Sequence, residues 1–152
     1  MMRLIRSTDW LEMAGGMREI QRNALLALTA DATPLPTLQR LSQMKMTGMA
    51  FERDGELVAI AGSIPVHPGV ESTFLYATDD FPKVILEVTH FFKTLFGVLK
   101  TFEGVHRVHS LGPANDPGGI AWKERLLGAW PEAHLEKYGK NGEDFVLHTV
   151  ML

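Results

Sequence analysis

Cysteine is missing from the 152-residue chain, which removes disulfides and thiolate metal sites and makes a reducing compartment the default expectation. Excess positive charge is missing too: 15 Lys and Arg against 18 Asp and Glu leave a formal net charge of -3. Without a basic surface there is little counterion release to drive non-specific nucleic-acid binding. No window approaches the ~18 consecutive apolar residues of a membrane span. Residues 1–9 carry no apolar run of the signal-peptide kind. Internal repeats, low-complexity tracts and linkers are also absent. The expectation is one domain over residues 1–152 that stays in the cytoplasm, with neither nucleic acid nor membrane as partner.

What is present is a run of alternating signals. Residues 3–7 read as a short strand. Ser7 or Thr8 is the expected cap of a brief helix that Gly15-Gly16 interrupts. A second helical run over residues 17–28 puts Ile20, Ala24, Leu25 and Leu28 on one face. Residues 29–36 read as a connector, and residues 37–43 as one or two further helical turns. Asp54-Gly55 separates two strand-like runs, 47–53 and 56–62, and marks a type I′ hairpin. Pro65 and Pro68-Gly69 are expected to end the second of these strands before another begins at 70–77.

Asp79 or Asp80 then reads as the cap of a long helix, with Pro82 in its first turn. Between residues 84 and 99 only a narrow polar stripe is expected to face water: Lys83, Glu87, His90, Thr94, Gly97 and Thr101. Residues 105–111 form a further strand, and Asp116-Pro117 starts a helix that stops at Gly128. A closing hairpin is read at 132–140 and 143–151 around a type I′ Asn141-Gly142 turn. The order β-α-α-β-β-β-α-β-α-β-β describes an α+β fold with a mixed, mostly antiparallel sheet flanked by helices.

This order resembles the GNAT fold of acetyl-CoA-dependent N-acetyltransferases over essentially the whole chain. The closest local likenesses are residues 2–10, Asn115 with the helix at 120–128, and the ending at 138–143. Within that group the length and ending are most similar to small GNAT-like proteins of short-tailed bacteriophages, of the internal virion protein A type, which are linked to virion assembly. The resemblance implies a cofactor site built on the strand-loop-helix unit, with Tyr76, Ala77, Thr78, Phe81, Lys83 and Asn115 as the residues that would contact acetyl-CoA. It implies Glu71 as a base for an amine acceptor, and a homodimer as a common assembly of the fold.

Two departures from the family stand out. Its phosphate loop brings glycines and free backbone N–H groups to a helix N-terminus, where an anion is favoured. Here the corresponding Thr78-Asp79-Asp80-Phe81-Pro82-Lys83 has no glycine, one fewer donor, and two carboxylates where a diphosphate would sit. Trp122 falls near the place where many members keep a tyrosine acid, and indole has no proton to give at physiological pH. The first functional expectation is therefore a phage-type GNAT-fold protein with a degenerate acetyl-CoA loop, working through contacts with viral or host proteins. The second is an active N-acetyltransferase on a protein or small-molecule amine.

Other constellations read as structural. His106 and His109 point to opposite faces of a strand, and no carboxylate cluster completes a metal site with them. Ser63 lacks the Gly-x-Ser-x-Gly frame of a nucleophile elbow. Met44, Met46 and Met49 read as core filling, and Phe91, Phe92 and Phe96 as the helix face that covers the sheet.

Overall fold

A computed structural model describes residues 1–152. Its elements are β1 (Met2–Leu4), α1 (Ser7–Gly16), α2 (Glu19–Ala27), α3 (Pro34–Ser42), β2 (Thr47–Arg53), β3 (Glu56–His67), β4 (Val70–Ala77), α4 (Ile85–Glu103), β5 (Arg107–Pro113), α5 (Pro117–Arg125), β6 (Trp130–Leu135) and β7 (Phe145–Met151). A 3-10 turn, Phe81–Lys83, precedes α4. The strands form one seven-stranded sheet in the order β1-β2-β3-β4-β5-β7-β6, antiparallel except for the β4–β5 pair. The mixed α+β class is as the sequence implies. One full helix is added, because Pro34 opens α3 at a position where its missing N–H costs nothing.

Each face of the sheet has its own core. The alternation of β4 sends Leu75 and Ala77 toward Phe92, Leu95, Phe96 and Leu99 of α4 and Trp122 of α5. It sends Phe74 and Tyr76 toward Trp10, Met13, Leu38 and Leu41 of α1 and α3. On α4 the inward polar residue Thr89 donates to the Ile85 carbonyl (2.6 Å) and accepts the Trp122 indole N–H (2.9 Å), so its burial leaves no polar group unpaired. The water-facing stripe is wider than the apolar count implies, since Leu86, Val98 and Phe102 are exposed along with His90.

Turn chemistry held at Asp54-Gly55, where both residues take positive φ (53° and 80°) between paired Arg53 and Glu56. It failed at Asn141-Gly142. The last two strands end at Leu135 and restart at Phe145, and the nine-residue link between them is tied by the Asp144 carboxylate to the Lys137 N–H and the His134 ring. Three further expectations are corrected. Asp9, buried and bonded to the Arg6 N–H (2.6 Å), organises the start of α1, and the residue before the helix is Arg6 rather than Ser7 or Thr8. Neither Asp79 nor Asp80 caps α4; the 3-10 turn carries Pro82 and leaves Val84 as the residue before the helix. Pro65 does not end β3, because β2 stops pairing at Ser63 and beyond it β3 has a free edge where proline is tolerated.

Candidate functional site: a split between the parallel strands

β4 and β5 are hydrogen-bonded only at their N-terminal ends, through Val70–Arg107, Glu71–Val108 and Ser72–His109. The Thr73 hydroxyl reaches the His109 carbonyl at 3.4 Å, and past it the strands diverge. β5 instead continues against β7, down to Pro113–Phe145. The split opens at the C-terminal ends of the two parallel strands, where open α/β sheets place ligands. It holds a cavity of about 190 Å³ between Thr73–Tyr76 on one side and Val108–Pro113 on the other.

Helix α2 lies across this opening. Its start is fastened to β4, with the Arg18 N–H donating to the Ala77 carbonyl (2.8 Å) and the Gln21 side-chain oxygen accepting the Ala77 N–H (2.7 Å). Its end is fastened to the β6–β7 link, with Ala27 accepting the Lys140 N–H (2.8 Å). Ala24, Leu25 and Leu28, the apolar face read from the sequence, line the cavity. Because main-chain groups alternate along a strand, Leu75 and Thr73 turn theirs to the same side as Ala77, toward the open edge.

On the opposite wall stand Phe81, Phe92, Phe96 and Trp122. Trp122 packs edge-on against Phe81 (ring centroids 5.6 Å apart) and sends its N–H to Thr89, so the indole is a wall and not a proton donor to the cleft. Lys123, Gly112, His148 and His109 complete the lining. Burial pushes the Lys123 amine below its ordinary value, with the nearby Asp116 charge opposing. Burial likewise lowers His109, with Arg107 adding to the effect and Glu132 opposing it. Burial raises the Tyr76 phenol to about 12.

The residues that the family resemblance assigned are dispersed. Tyr76 and Phe81 line the cleft. Ala77 is beside it, with both main-chain groups taken by α2. Asn115 lies in an adjoining depression with Asn23 and Glu143. Glu71 sits in the closed part of the β4–β5 pair, opposite Pro65 and Val108, outside the cavity lining. Lys83 is exposed and paired with Asp80 (3.0 Å). Sequence reasoning missed Lys123 and His148. Gly112 was the available signal, since a glycine inside a strand often marks a close approach: a Cβ there would stand 2.6 Å from the Lys123 amine.

The loop before α4 keeps most of its donors to itself. Thr78 N–H bonds to Val58, Asp80 N–H to the Thr78 hydroxyl, Phe81 N–H to Thr78, Lys83 N–H to Asp80 and Val84 N–H to Phe81. Pro82 has none, which leaves Asp79 as the remaining N–H of that stretch. A diphosphate would find these donors engaged and the Asp79 and Asp80 side chains exposed beside them. The N–H groups of Ile85, Leu86 and Glu87 in the first turn of α4 have no backbone partner, and the open β4 edge with its apolar walls leaves room for an extended chain. No group of three or more His, Asp or Glu side chains gathers to hold a metal ion, and no helix is long and apolar enough to cross a membrane.

Comparison of the fold places it firmly. A ribosomal-protein-alanine N-acetyltransferase from Brucella melitensis superposes with TM-score 0.73 at 16% identity, covering 100% of this chain and 99% of that one. A GNAT superfamily phosphinothricin acetyltransferase from Sinorhizobium meliloti, solved with acetyl-CoA, gives 0.73 at 16%, covering 100% and 88%. The yncA protein of Salmonella typhimurium, solved with its cofactor acetyl-CoA, gives 0.70 at 15%, covering 100% and 93%. No protein-family model and no curated protein matches the sequence. The chain thus has the GNAT fold, at a sequence distance where likeness speaks for the fold alone.

Proposed function

We propose that this is a GNAT-fold protein whose nucleotide-binding loop is closed by the chain's own hydrogen bonds and that acts through contacts with other proteins. The observation that carries this reading is the internal satisfaction of the N–H groups at Thr78, Asp80, Phe81, Lys83 and Val84, together with Arg18 and Gln21 on the Ala77 edge. An anion site at a helix N-terminus depends on free donors, and releasing these would break the turn that seats Phe81 in the core. The likeness of length and ending to small bacteriophage proteins directs the search for a partner to virion and host proteins. A second copy of the chain is a further candidate.

A second reading is supported by the open β4–β5 split and by the acetyl-CoA held in the Sinorhizobium and Salmonella neighbours. It makes the protein an N-acetyltransferase that grips its cofactor mainly by the acyl-pantetheine end. Isothermal titration with acetyl-CoA, with coenzyme A as control, separates the two. The first reading expects no heat and no thermal stabilisation at about 1 mM ligand, a level at which weak millimolar binding would register. Micromolar binding would overturn it and send the work to acceptor screening.

A further inference from the structure

Lys123 stands apart from the other lysines of the chain. Lys45, Lys83, Lys93, Lys100, Lys137 and Lys140 are exposed, whereas Lys123 is half-buried in the lining of the split. The side-chain polar atoms that are both sealed and unpartnered are Ser63 Oγ, His109 Nδ1 and His148 Nδ1; the Lys123 amine, which also lacks a hydrogen bond or ion pair, is therefore open to the cleft. Burial lowers its basicity and the Asp116 charge works against that. The Asp116 carboxylate itself accepts the Gly119 N–H at 3.1 Å and forms no ion pair with the lysine. The other titratable groups on the cleft are Arg18 of α2, Tyr76 of β4, His109 of β5 and His148 of β7. A partly desolvated amine with no counter-ion in contact carries a larger neutral fraction than an exposed one, and only the neutral form is a nucleophile.

The strands supply the second part of the site. The amine is held over Gly112, where a Cβ would stand 2.6 Å from it. Counting on from the last parallel pair, Ser72–His109, sets Leu75 across the split from Gly112. The Leu75 main-chain N–H is on the open edge of β4. A carbonyl that accepts from it would lie between that edge and the amine, with Phe81, Phe92 and Trp122 as an apolar wall.

We propose that Lys123 is an acyl-acceptor site, its amine taking the acyl group from a short-chain acyl thioester whose tail lies along the open β4 edge. The nitrogen lone pair attacks the thioester carbonyl carbon and a C–N bond forms. The C–S bond breaks with its electron pair left on sulfur, and the proton released from nitrogen goes to the departing thiolate. The products are an amide on Lys123 and a free thiol. This deepens the second reading and rests on it for the chemical class of the donor, but it uses only the acyl end and is independent of the nucleotide loop.

The test is timed acetylation of the full chain by S-acetyl-N-acetylcysteamine, a thioester without a nucleotide, at about 1 mM, followed by peptide mass mapping of every lysine. Lys123 is expected to be labelled first, on the order of tenfold faster at about pH 8 than exposed Lys93, Lys100 or Lys137. Its rate should also level off at lower pH than theirs. The preference should vanish in about 6 M guanidinium chloride, where the cleft is gone. Gly112→Ala, whose methyl displaces the amine, should slow labelling of Lys123 and leave the exposed lysines unchanged; if that variant does not fold, the guanidinium comparison decides. Labelling of Lys123 no faster than of the exposed lysines, or a preference that survives unfolding or Gly112→Ala intact, would overturn the proposal. Acetyl-CoA binding without labelling would overturn it and leave the second reading standing. Labelling by the small thioester without acetyl-CoA binding would uphold it and leave the closed nucleotide loop of the first reading standing.

Discussion

The Trp122–Thr89 pair gives a quantitative check on how α5 is seated against α4, and thereby on the wall of the cleft. Trp122→Phe removes the N–H that bonds to Thr89 at 2.9 Å and leaves a void between Phe81 and Phe92 where the second ring was. The lost bond is worth about 1 kcal/mol and the void about 1–2 kcal/mol, for a total of about 2–3 kcal/mol. Thr89→Val keeps the shape but leaves the indole N–H buried without an acceptor, at a cost of about 1–3 kcal/mol. In the double variant donor and acceptor are both gone, so the combined loss should fall short of the sum by about 1–2 kcal/mol. Urea unfolding followed by far-ultraviolet circular dichroism measures all four corners, and Trp10 and Trp130 do not interfere with that signal. Strict additivity would refute the buried bond, and a Trp122→Phe cost under about 0.5 kcal/mol would refute the packing.

Asp9→Asn should cost about 2–3 kcal/mol in chemical denaturation, because Arg3 loses its two-bond grip on the carboxylate (2.8 Å each) and keeps only Glu52 (2.6 Å) as counter-charge. Burial alone would raise Asp9, but the Arg3 fork and the Arg6 N–H outweigh it and leave the carboxyl below its ordinary value. Its contribution is therefore fully present above the unfolded value of about 3.9 and is lost as pH falls through the lower folded value, so acid unfolding of Asp9→Asn should be less steep. Gly62→Ala would put a Cβ 2.2 Å from the Thr47 carbonyl and 2.7 Å from Gly48 Cα. It should lower stability by about 3 kcal/mol, read as a reduced urea midpoint. Gln21→Ala should cost about 1 kcal/mol and free the Ala77 N–H at the cleft edge. Any acetyl-CoA binding seen by titration should be unchanged or tighter in it, and weaker binding would make Gln21 a ligand contact instead of a plug.

Local chemistry settled the elements whose signals are carried by adjacent residues. Asp54-Gly55 gave the hairpin because positive φ is intrinsic to those two residues in that turn. Asp116-Pro117 gave the start of α5, the carboxylate accepting the Gly119 N–H as a cap does. The apolar spacing of Phe91, Phe92, Leu95, Phe96 and Leu99 by itself turns one face of α4 to the sheet. The order of these elements was enough to indicate the GNAT fold.

Tertiary structure decided the rest, because the deciding partner was distant in sequence. Asn141-Gly142 has the same local signature as Asp54-Gly55, yet ties from Asp144 to Lys137 and His134 open that link into a loop. The cleft depends on β5 leaving β4 after His109 to follow β7, a competition between strand partners that no single segment records. The charge and donors of residues 78–83 were legible, but not that Val58 and the loop itself consume the N–H groups. Lys123 and His148 are twenty-five residues apart and unremarkable in sequence. The β5–β7 register sets His148 beside Ser110, and the packing of α5 sets Lys123 over Gly112, since such neighbours belong to the packed chain and not to the residue.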